Sequence, residues 1–182
     1  LEQSQNLCHR LKSLVDNMLD LTRLESSNQA LNKTVLQVAP FIKQVQEIHA
    51  SRAEQADIAL EIDLPDDSTT VYADERQIMQ VMDNLVGNAL KFTPANGKVC
   101  IAAAVNHENV NFTIQDTGIG IPQADMPRLF SRFHRGKNAS AFPGNGLGLT
   151  IVKTIIDRHG GDIDVESTTS GTTFKIQLPC QS

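Results

Sequence analysis

The sequence has 182 residues, of which 40% are hydrophobic, so it can form one domain with a real core and a small appendage. A net charge of −5 without a long basic run disfavours a nucleic-acid surface, and no apolar run reaches the roughly 18–20 residues of a membrane span. The three cysteines lie far apart without a CxxC pair, which favours ordinary thiols in a reducing compartment over disulfides or metal ligands.

The first predicted element is a helix with a narrow apolar seam. Its apolar residues recur at alternating steps of four and three: Leu7, Leu11, Leu14, Met18 and Leu21. This spacing is typical of a coiled coil or helical bundle, and one helix cannot bury its own seam, so a second chain or an upstream helix is predicted to cover it. The polar stretch that follows predicts a domain boundary between 1–33 and 34–182. Since the chain starts at Leu1 without a signal peptide, we interpret it as a fragment.

From residue 34 onward, predicted strands and helices alternate. Strands are predicted at 36–38, 56–64, 70–74 and 162–168, at 172–178 after a turn at Ser170–Gly171, and as a pair within 98–118 joined by a turn at 107–109. Helices are predicted over 41–55 (with Phe41, Val45, Ile48 and Arg52 on one stripe), 75–92 and 148–159. The stretch 117–144 is rich in glycine, proline and charge, and reads as irregular. Helices gathered on one face of a sheet predict an α+β fold, a two-layer α/β sandwich.

The helix predicted over 75–92 has two unlike faces. One is apolar, and the other is an arc of roughly 80° that carries carboxamides and an ammonium group: Gln77, Gln80, Asn84, Asn88 and Lys91. Asparagine is a mediocre helix former, so two of them in mid-helix need a reason. A carboxamide oxygen suits Mg²⁺ when nucleotide phosphates supply the negative charge, which Lys91 would offset. On this helix alone, a metal and phosphate site and a solvated polar face are equally good interpretations.

Two glycine-rich motifs follow. In Asp116–Pro122 (DTGIGIP), glycines allow close backbone approach and the carboxylate can accept from an amine such as adenine N6, although an ordinary Asp-Gly turn looks the same. Gly144–Lys153 opens a helix whose first amides and dipole favour an anion, but it lacks the Gly-Lys-Ser/Thr of a P-loop. Between the motifs, Arg132 and Arg135 flank aromatic residues; they could close over phosphates or be ordinary solvated arginines.

The order of these motifs resembles the ATP-binding domain of bacterial sensor histidine kinases. An asparagine helix, a strand ending in Asp-x-Gly-x-Gly, a loop with Phe and Arg, a Gly-x-Gly-x-Gly turn opening a helix and a closing SGTTF match the family's N box, glycine boxes and F box in order. Each box alone is weak, but the ordered set is specific. Met18–Ser27 (MLDLTRLESS) looks like the end of the second helix of the family's dimerisation hairpin. The resemblance implies a Bergerat-type fold, ATP and Mg²⁺ as ligands, and transfer of the γ-phosphoryl group to a protein histidine for relay to a response regulator aspartate.

The resemblance also implies roles for individual residues. Asn88 would ligate Mg²⁺ with Asn84 beside it at the metal or phosphates, and Lys91 would contact phosphate. Asp116 would recognise the adenine amine, and a mobile loop would bring Arg135 and Arg132 to the γ-phosphate. The other residues implied in nucleotide binding are Phe92, Gly118, Gly120, Gly144, Gly146, Leu147, Gly148, Thr172 and Thr173. Gyrase-type and MutL-type relatives carry a water-activating Glu where this chain has Asn84, which implies a kinase rather than an ATP-hydrolysing machine.

One departure from the family is the phosphoacceptor, a His followed by an acidic residue and, a few positions on, a Pro. His9 precedes Arg10, and the other four histidines lie inside the ATP-binding domain, so either the acceptor lies upstream or the kinase is degenerate. The fragment alone would bind ATP without phosphorylating itself, and a regulatory nucleotide-binding module is the alternative. Further implications are a homodimer through the N-terminal hairpin, a response regulator receiver domain as partner, and a cytoplasmic location with any membrane attachment through upstream segments.

Overall fold

A computed structural model describes residues 2–26, 30–66, 68–106, 108–139 and 142–180, without the side chains of residues 2–10, 13 and 25. The predicted seam position Leu7, together with Cys8, His9 and the turn residue His107, therefore falls outside the described side chains. The helices are α1 (Glu2–Glu25), α2 (Val38–Gln55), α3 (Glu75–Phe92) and α4 (Gly148–Arg158). The strands are β1 (Thr34–Gln37), β2 (Ala59–Asp63), β3 (Thr70–Ala73), β4 (Lys98–Asn106), β5 (Asn109–Asp116), β6 (Asp162–Thr168) and β7 (Gly171–Pro179).

The main sheet has five strands in the order β2-β4-β5-β7-β6. Its β2 runs parallel to β4, whereas the other neighbours pair antiparallel, and β1 and β3 form a separate antiparallel pair. Buried and less buried positions alternate along β5 and β7, so one face of the sheet carries the core. Helices α2, α3 and α4 cover that face. The predicted two-layer α/β sandwich is confirmed.

Local signals explain the bounds of α3 and α4. The side chain of Asp74 caps α3 by accepting from the Gln77 amide, and the helix ends one residue before Thr93–Pro94, as predicted. Helix α4 ends before Gly160, whose φ of +74° suits glycine. The final turn lies at 169–170, one residue earlier than predicted, because Gly171 already pairs with Thr168.

The predictions for β1 and α2 needed correction. Strand β1 ends at Gln37 because α2 begins at Val38, where Pro40 fits the first helical turn. The packed stripe of α2 continues from Val45 to His49 and Ala53, so Ile48 and Arg52 are exposed rather than packed. Burial of His49 is possible because its Nε2 lies 3.1 Å from Asp83 Oδ1.

Helix α1 is divided between packed and open residues. Leu21 is 5% exposed and Leu24 is also buried, and both join the same hydrophobic core as α3 and α4. Leu11 and Met18 are exposed, the former at 63%. The core therefore continues across residue 33, and the domain boundary there stays a prediction. No helix in the described part of the chain is long and apolar enough to cross a membrane.

His159 joins the end of α4 to the start of α3. Its Nε2 accepts from the Asp74 amide at 3.1 Å, and its Nδ1 donates to the Ile155 carbonyl at 2.8 Å, so both ring nitrogens are used by a neutral imidazole. The residue is 3% exposed, and this burial lowers the pKa of His159 despite its hydrogen bond to Ile155.

Acid is therefore expected to weaken the fold through His159. The unfolded chain takes up a proton near the ordinary histidine pKa of about 6.5, whereas the folded imidazole resists it. The stabilisation that neutral His159 gives the fold is complete above about pH 6.5, the ordinary histidine pKa, and is lost as the pH falls toward the lower pKa of the folded state. Urea unfolding at several values between pH 8 and 5 measures it. His159→Gln should unfold more easily at pH 8 and lose less stability toward pH 5; an unchanged slope would contradict the assignment.

Candidate functional site

A cavity of about 220 Å³ lies between α3, the ends of β5 and β7, and the long loop that precedes α4. Helix α3 lines it with Asn84, Asn88, Lys91 and Phe92, and the strands contribute Asp116, Thr172 and Phe174. The loop over residues 117–147, hereafter the lid loop, covers the other side. Residues that are far apart in sequence thus converge on one cleft with apolar walls and a few polar groups, which is the usual composition of a small-molecule site.

At one end of the cavity, Asp116 presents a buried carboxylate. Its Oδ1 accepts from the amides of Gly118, at 2.8 Å, and Thr172, at 3.2 Å. Burial raises the pKa of Asp116, and these two hydrogen bonds partly oppose the shift. Its Oδ2 makes no hydrogen bond to any described residue, so one oxygen fixes the carboxylate and the other can accept from a ligand.

Glycines bring the lid loop onto this end of the cavity. A Cβ on Gly118 would lie 2.6 Å from the Phe92 carbonyl oxygen, and one on Gly120, which has a φ of +67°, would lie 1.7 Å from the Thr168 oxygen. Gly120 lines the cavity, whereas Gly118 packs behind it. Only residues without a side chain allow these backbones to approach so closely.

The five residues of the predicted polar arc of α3 fall into two groups with different surroundings. Gln77 is 5% exposed and bonds Asp74 and Arg158, so it belongs to the packed base of the helix. Gln80 Nε2 donates to Asp20 Oδ2 of α1 at 3.0 Å. Only Asn84, Asn88 and Lys91 face the cavity. The solvated-face interpretation is wrong for Gln77 and Gln80, whose side chains bond to other parts of the protein. For the three residues that line the cavity, the site interpretation stays a prediction.

The two asparagines of α3 differ in their hydrogen bonds. Asn84 Nδ2 donates to the Gln80 carbonyl at 2.8 Å, and its Oδ1 points toward Gly148 at the start of α4. The Asn88 side chain is half-buried and makes no hydrogen bond to the described residues. Nor do those residues contain a group of three or more His, Cys, Asp or Glu that could hold a metal. A divalent cation here would be held by carboxamide oxygens together with a ligand's phosphates, a donor set that Mg²⁺ accepts.

Lys91 and Arg135 give the cavity a positive wall. Lys91 Nζ lies 4.1 Å from the centre of the Phe92 ring and donates to the Pro143 carbonyl at 3.1 Å. Burial, together with the smaller effects of the Arg135 and Arg52 charges, lowers the pKa of Lys91 to about 8. An anion beside these cations would offset both effects, so the charge arrangement favours phosphate. The Phe92 ring also meets Phe142 of the lid loop edge-on, at 4.9 Å.

The two lid-loop arginines occupy different places. Arg135 lines the cavity and donates to the carbonyls of Ala139, at 2.7 Å, and Phe142. Arg132 is exposed and does not line the cavity. Leu147 and Thr173, also predicted to bind nucleotide, do not line it either: Leu147 is fully buried in the core, and Thr173 alternates with Thr172 on β7 and so faces away.

The first turn of α4 closes the cavity opposite Asn84. Gly148 and Leu149 line it beside Gly144 and Gly146, and no side chain that the structure describes caps the helix start. Gly146 has a φ of +72°, and a Cβ there would lie 2.7 Å from the Phe133 backbone, so this turn requires glycine. The unpaired amides of a helix start attract an anion.

Gly148→Ala is expected to lower the affinity for a phosphate-bearing ligand about tenfold, since its Cβ would lie 2.6 Å from Asn84 Oδ1 and displace that side chain. Gly87→Ala on α3 is the matched control. Its Cβ meets only Arg52 Nη1, at 3.5 Å, and alanine in a helix adds about 0.5–1 kcal/mol to the free energy of unfolding. Titration of both variants with a nucleotide measures the difference; equal affinities would contradict the contact.

Several lining residues carry no signal in the sequence. Asp125 Oδ2 accepts from the Lys137 amide at 3.1 Å, and Asn138 Nδ2 donates to the Gly120 carbonyl at 2.9 Å, so both hold the lid loop in place. The Nε2 atom of His134 is buried and lies 3.4 Å from Asp125 Oδ1, but it makes no hydrogen bond with the described residues. Asn17 reaches the cavity from α1. Their roles depend on long-range folding, and isolated polar residues in a loop or a helix do not reveal them.

Comparisons with known proteins match the chain to one family of ATPases. The sequence profile described as "Histidine kinase-, DNA gyrase B-, and HSP90-like ATPase" matches residues 73–182. Sensor histidine kinase WalK of Bacillus subtilis is 35% identical over 181 residues, which make up 97% of this chain and 30% of WalK. The chain thus spans less than a third of that relative.

Two solved structures share the fold over almost the whole chain. Full-length ShkA in complex with AMPPNP has a TM-score of 0.83 and 29% identity, covering 98% of this chain and 39% of that one. Histidine kinase ThkA in complex with the response regulator protein TrrA has a TM-score of 0.80 and 28% identity, covering 97% and 49%. Both comparisons include α1 as well as the sheet and its helices.

Proposed function

Because the chain belongs to the histidine kinase-, DNA gyrase B- and HSP90-like ATPase family, we propose that it is the ATP-binding catalytic part of a two-component sensor histidine kinase. One observation carries the proposal: the same cavity has a buried carboxylate at one end and carboxamide and ammonium groups at the other. This arrangement suits a ligand with an amine-bearing base and a chain of phosphates. The complex of ShkA with AMPPNP supports the same choice of ligand.

At the base end, Asp116 would accept from the adenine amine through its unpaired oxygen, and Thr172 would hold the carboxylate in place. Gly118 and Gly120 would shape the base end of the cavity. Thr173 faces away from the cavity and would contribute only as part of β7. The walls formed by Ile119, Ile121 and Phe174 would exclude water from the base.

At the phosphate end, Asn88 would hold Mg²⁺ with its free carboxamide oxygen, and Asn84 would stand beside the metal or the phosphates. The ion would supply positive charge to the bridging phosphate oxygens. Lys91, Arg135 and the first amides of α4 would bind the same oxygens, with Gly144, Gly146, Leu147 and Gly148 shaping that turn. We assign Arg132 to the closed form of the lid loop, and Phe92 to packing against the nucleotide.

In the whole protein, the γ-phosphoryl group would pass to a histidine outside this chain and then to an aspartate of a response regulator. Phosphoryl transfer depends on positioning and charge, and Asn84 lacks the basicity to activate water, so bound ATP would survive until the histidine attacks. The complex of ThkA with TrrA supports a response regulator as partner. We also propose that residues 1–33 belong to a dimerisation hairpin, whose open seam includes Leu11 and Met18, and that this part of the protein acts in the cytoplasm.

Calorimetric titration with a non-hydrolysable ATP analogue, with and without Mg²⁺, tests the binding part of the proposal. Magnesium-dependent binding is expected, and no binding by the folded chain would contradict it. A longer chain that includes the upstream helix then tests transfer, since phosphohistidine is acid-labile. Binding without acid-labile phosphate would make the chain a regulatory module, and steady-state hydrolysis would make it an ATPase.

A further inference from the structure

We propose that Asn17 of α1 is a further nucleotide-binding residue whose carboxamide contacts the terminal phosphate group of the bound nucleotide. The proposal rests on the ATP-binding function proposed above. Its starting point is that Asn17 lines the same cavity as Asn84 and Asn88, although it belongs to the N-terminal helix.

Helix α1 packs against α4, and a hydrogen bond also joins it to α3 beside the cavity. Asp20 Oδ2 accepts from Gln80 Nε2 at 3.0 Å, and Leu21 and Leu24 are buried in the core immediately after it. On α1, Asn17 lies one helical turn before Asp20 and on the same face of the helix. On α3, Asn84 lies one turn after Gln80, again on the same face. Since Asn17 and Asn84 line one cavity, the two helices cross in opposite directions there.

The direction of α3 shows which end of the nucleotide Asn17 would meet. The carboxyl end of α3 adjoins the base end of the cavity, because the Ile119 amide donates to the Phe92 carbonyl at 3.2 Å and Gly118 packs on the same carbonyl. Asn84 lies eight residues earlier, about 12 Å along the helix axis. A nucleotide with its base at Asp116 therefore points its last phosphate toward Asn84 and Asn17.

The state of the Asn17 side chain supports a ligand contact. Asn17 is half-buried, yet its carboxamide makes no hydrogen bond to the described residues. The carboxamide lies beside the cavity, so a ligand there would be within its reach. Its NH₂ group would donate to a phosphate oxygen, while the nearby Asn84 amide already donates to Gln80. The contact would exist with a triphosphate and be missing with a diphosphate.

Titration of the whole chain with a non-hydrolysable ATP analogue and with ADP, both with Mg²⁺, tests the proposal. Asn17→Ala is expected to weaken binding of the analogue about tenfold and binding of ADP by less than about twofold. Asn17→Asp should weaken the analogue further because its carboxylate repels phosphate. Asp16→Ala, the exposed neighbour on α1, is the matched control and should change neither affinity by more than about twofold.

The outcomes separate this proposal from the function on which it rests. If the unaltered chain binds the analogue and both Asn17 variants bind it equally well, Asn17 is not a nucleotide residue, and the ATP-binding function stands. Equal losses for the analogue and ADP would overturn the assignment to the terminal phosphate. If the unaltered, folded chain binds neither nucleotide, the proposed function itself fails, and the proposal fails with it. Thermal unfolding of each variant verifies the fold.

Discussion

Asn88→Ala is expected to abolish the magnesium dependence of nucleotide binding while leaving the fold intact. The Asn88 carboxamide faces the cavity without a hydrogen bond to the described residues, and no carboxylate cluster among those residues could replace it as a ligand. Loss of a group that only orients a metal ligand already lowers metal affinity about 10- to 100-fold, so loss of the ligand itself should cost at least about 100-fold. Calorimetric titration with and without Mg²⁺ measures this.

Two features make the Asn88 experiment decisive. Alanine is a better helix former than asparagine, and Asn88 makes no hydrogen bond with the described residues, so Asn88→Ala should unfold no more easily than the original chain. Without Mg²⁺, both chains should bind the nucleotide equally weakly. Asn111→Ala on β5 is the control for a carboxamide away from the cavity. Magnesium-dependent binding that survives in Asn88→Ala would move the metal site elsewhere.

The elements of this fold could be predicted because their signals are local. Helix α3 matched its prediction from Glu75 to Phe92, since an apolar stripe, the capping residue Asp74 and Pro94 all lie within it or beside it. The predicted stripe of α2 was wrong after Val45, since a step of three residues leads to Ile48 and a step of four leads to His49. Only the long-range contact of His49 with Asp83 decides that the buried path runs through His49. Strand order in the sheet likewise depends on pairings that no local pattern encodes.

The site was predictable to the extent that one element presents it. Asn84, Asn88 and Lys91 share a face of α3, and helical periodicity alone groups them. The same periodicity wrongly added Gln77 and Gln80 to the open face, because their partners Arg158 and Asp20 come from distant helices. Burial of Gln77 and the hydrogen bond of Gln80 to Asp20 fix the first half of α3, and the residues that line the cavity follow them along the helix.

The geometry links the lid loop to both ends of the cavity. Asn138 holds the loop to Gly120 near the base end, while Arg135 and Phe142 of the loop approach Lys91 and Phe92 of α3. A bound phosphate would relieve the repulsion between the Lys91 and Arg135 charges. A ligand that fills the cavity would therefore also strengthen the contact between the loop and α3.

Asp116→Asn is expected to lower the affinity for adenine nucleotides roughly 10- to 100-fold and to narrow the preference for adenine over guanine. The amides of Gly118 and Thr172 require an acceptor at the Oδ1 position, so the asparagine oxygen must stay there. Its NH₂ group then faces the cavity and opposes the adenine amine, donor against donor. A hydrogen bond to a charged group contributes about 1.5–3 kcal/mol, which corresponds to the expected loss.

Guanine provides the sharper readout, because its O6 is an acceptor where adenine has an amine and would pair with the new NH₂ group. Parallel titrations with ATP and GTP analogues therefore measure a change in the ratio of the two affinities, which general damage to the site would not produce. Asp116→Asn keeps both backbone hydrogen bonds, so its free energy of unfolding should change by less than about 1 kcal/mol. Asp116→Ala leaves two buried amides unpaired and should cost about 2 kcal/mol or more. An unchanged ATP-to-GTP ratio in Asp116→Asn would show that this carboxylate does not read the base.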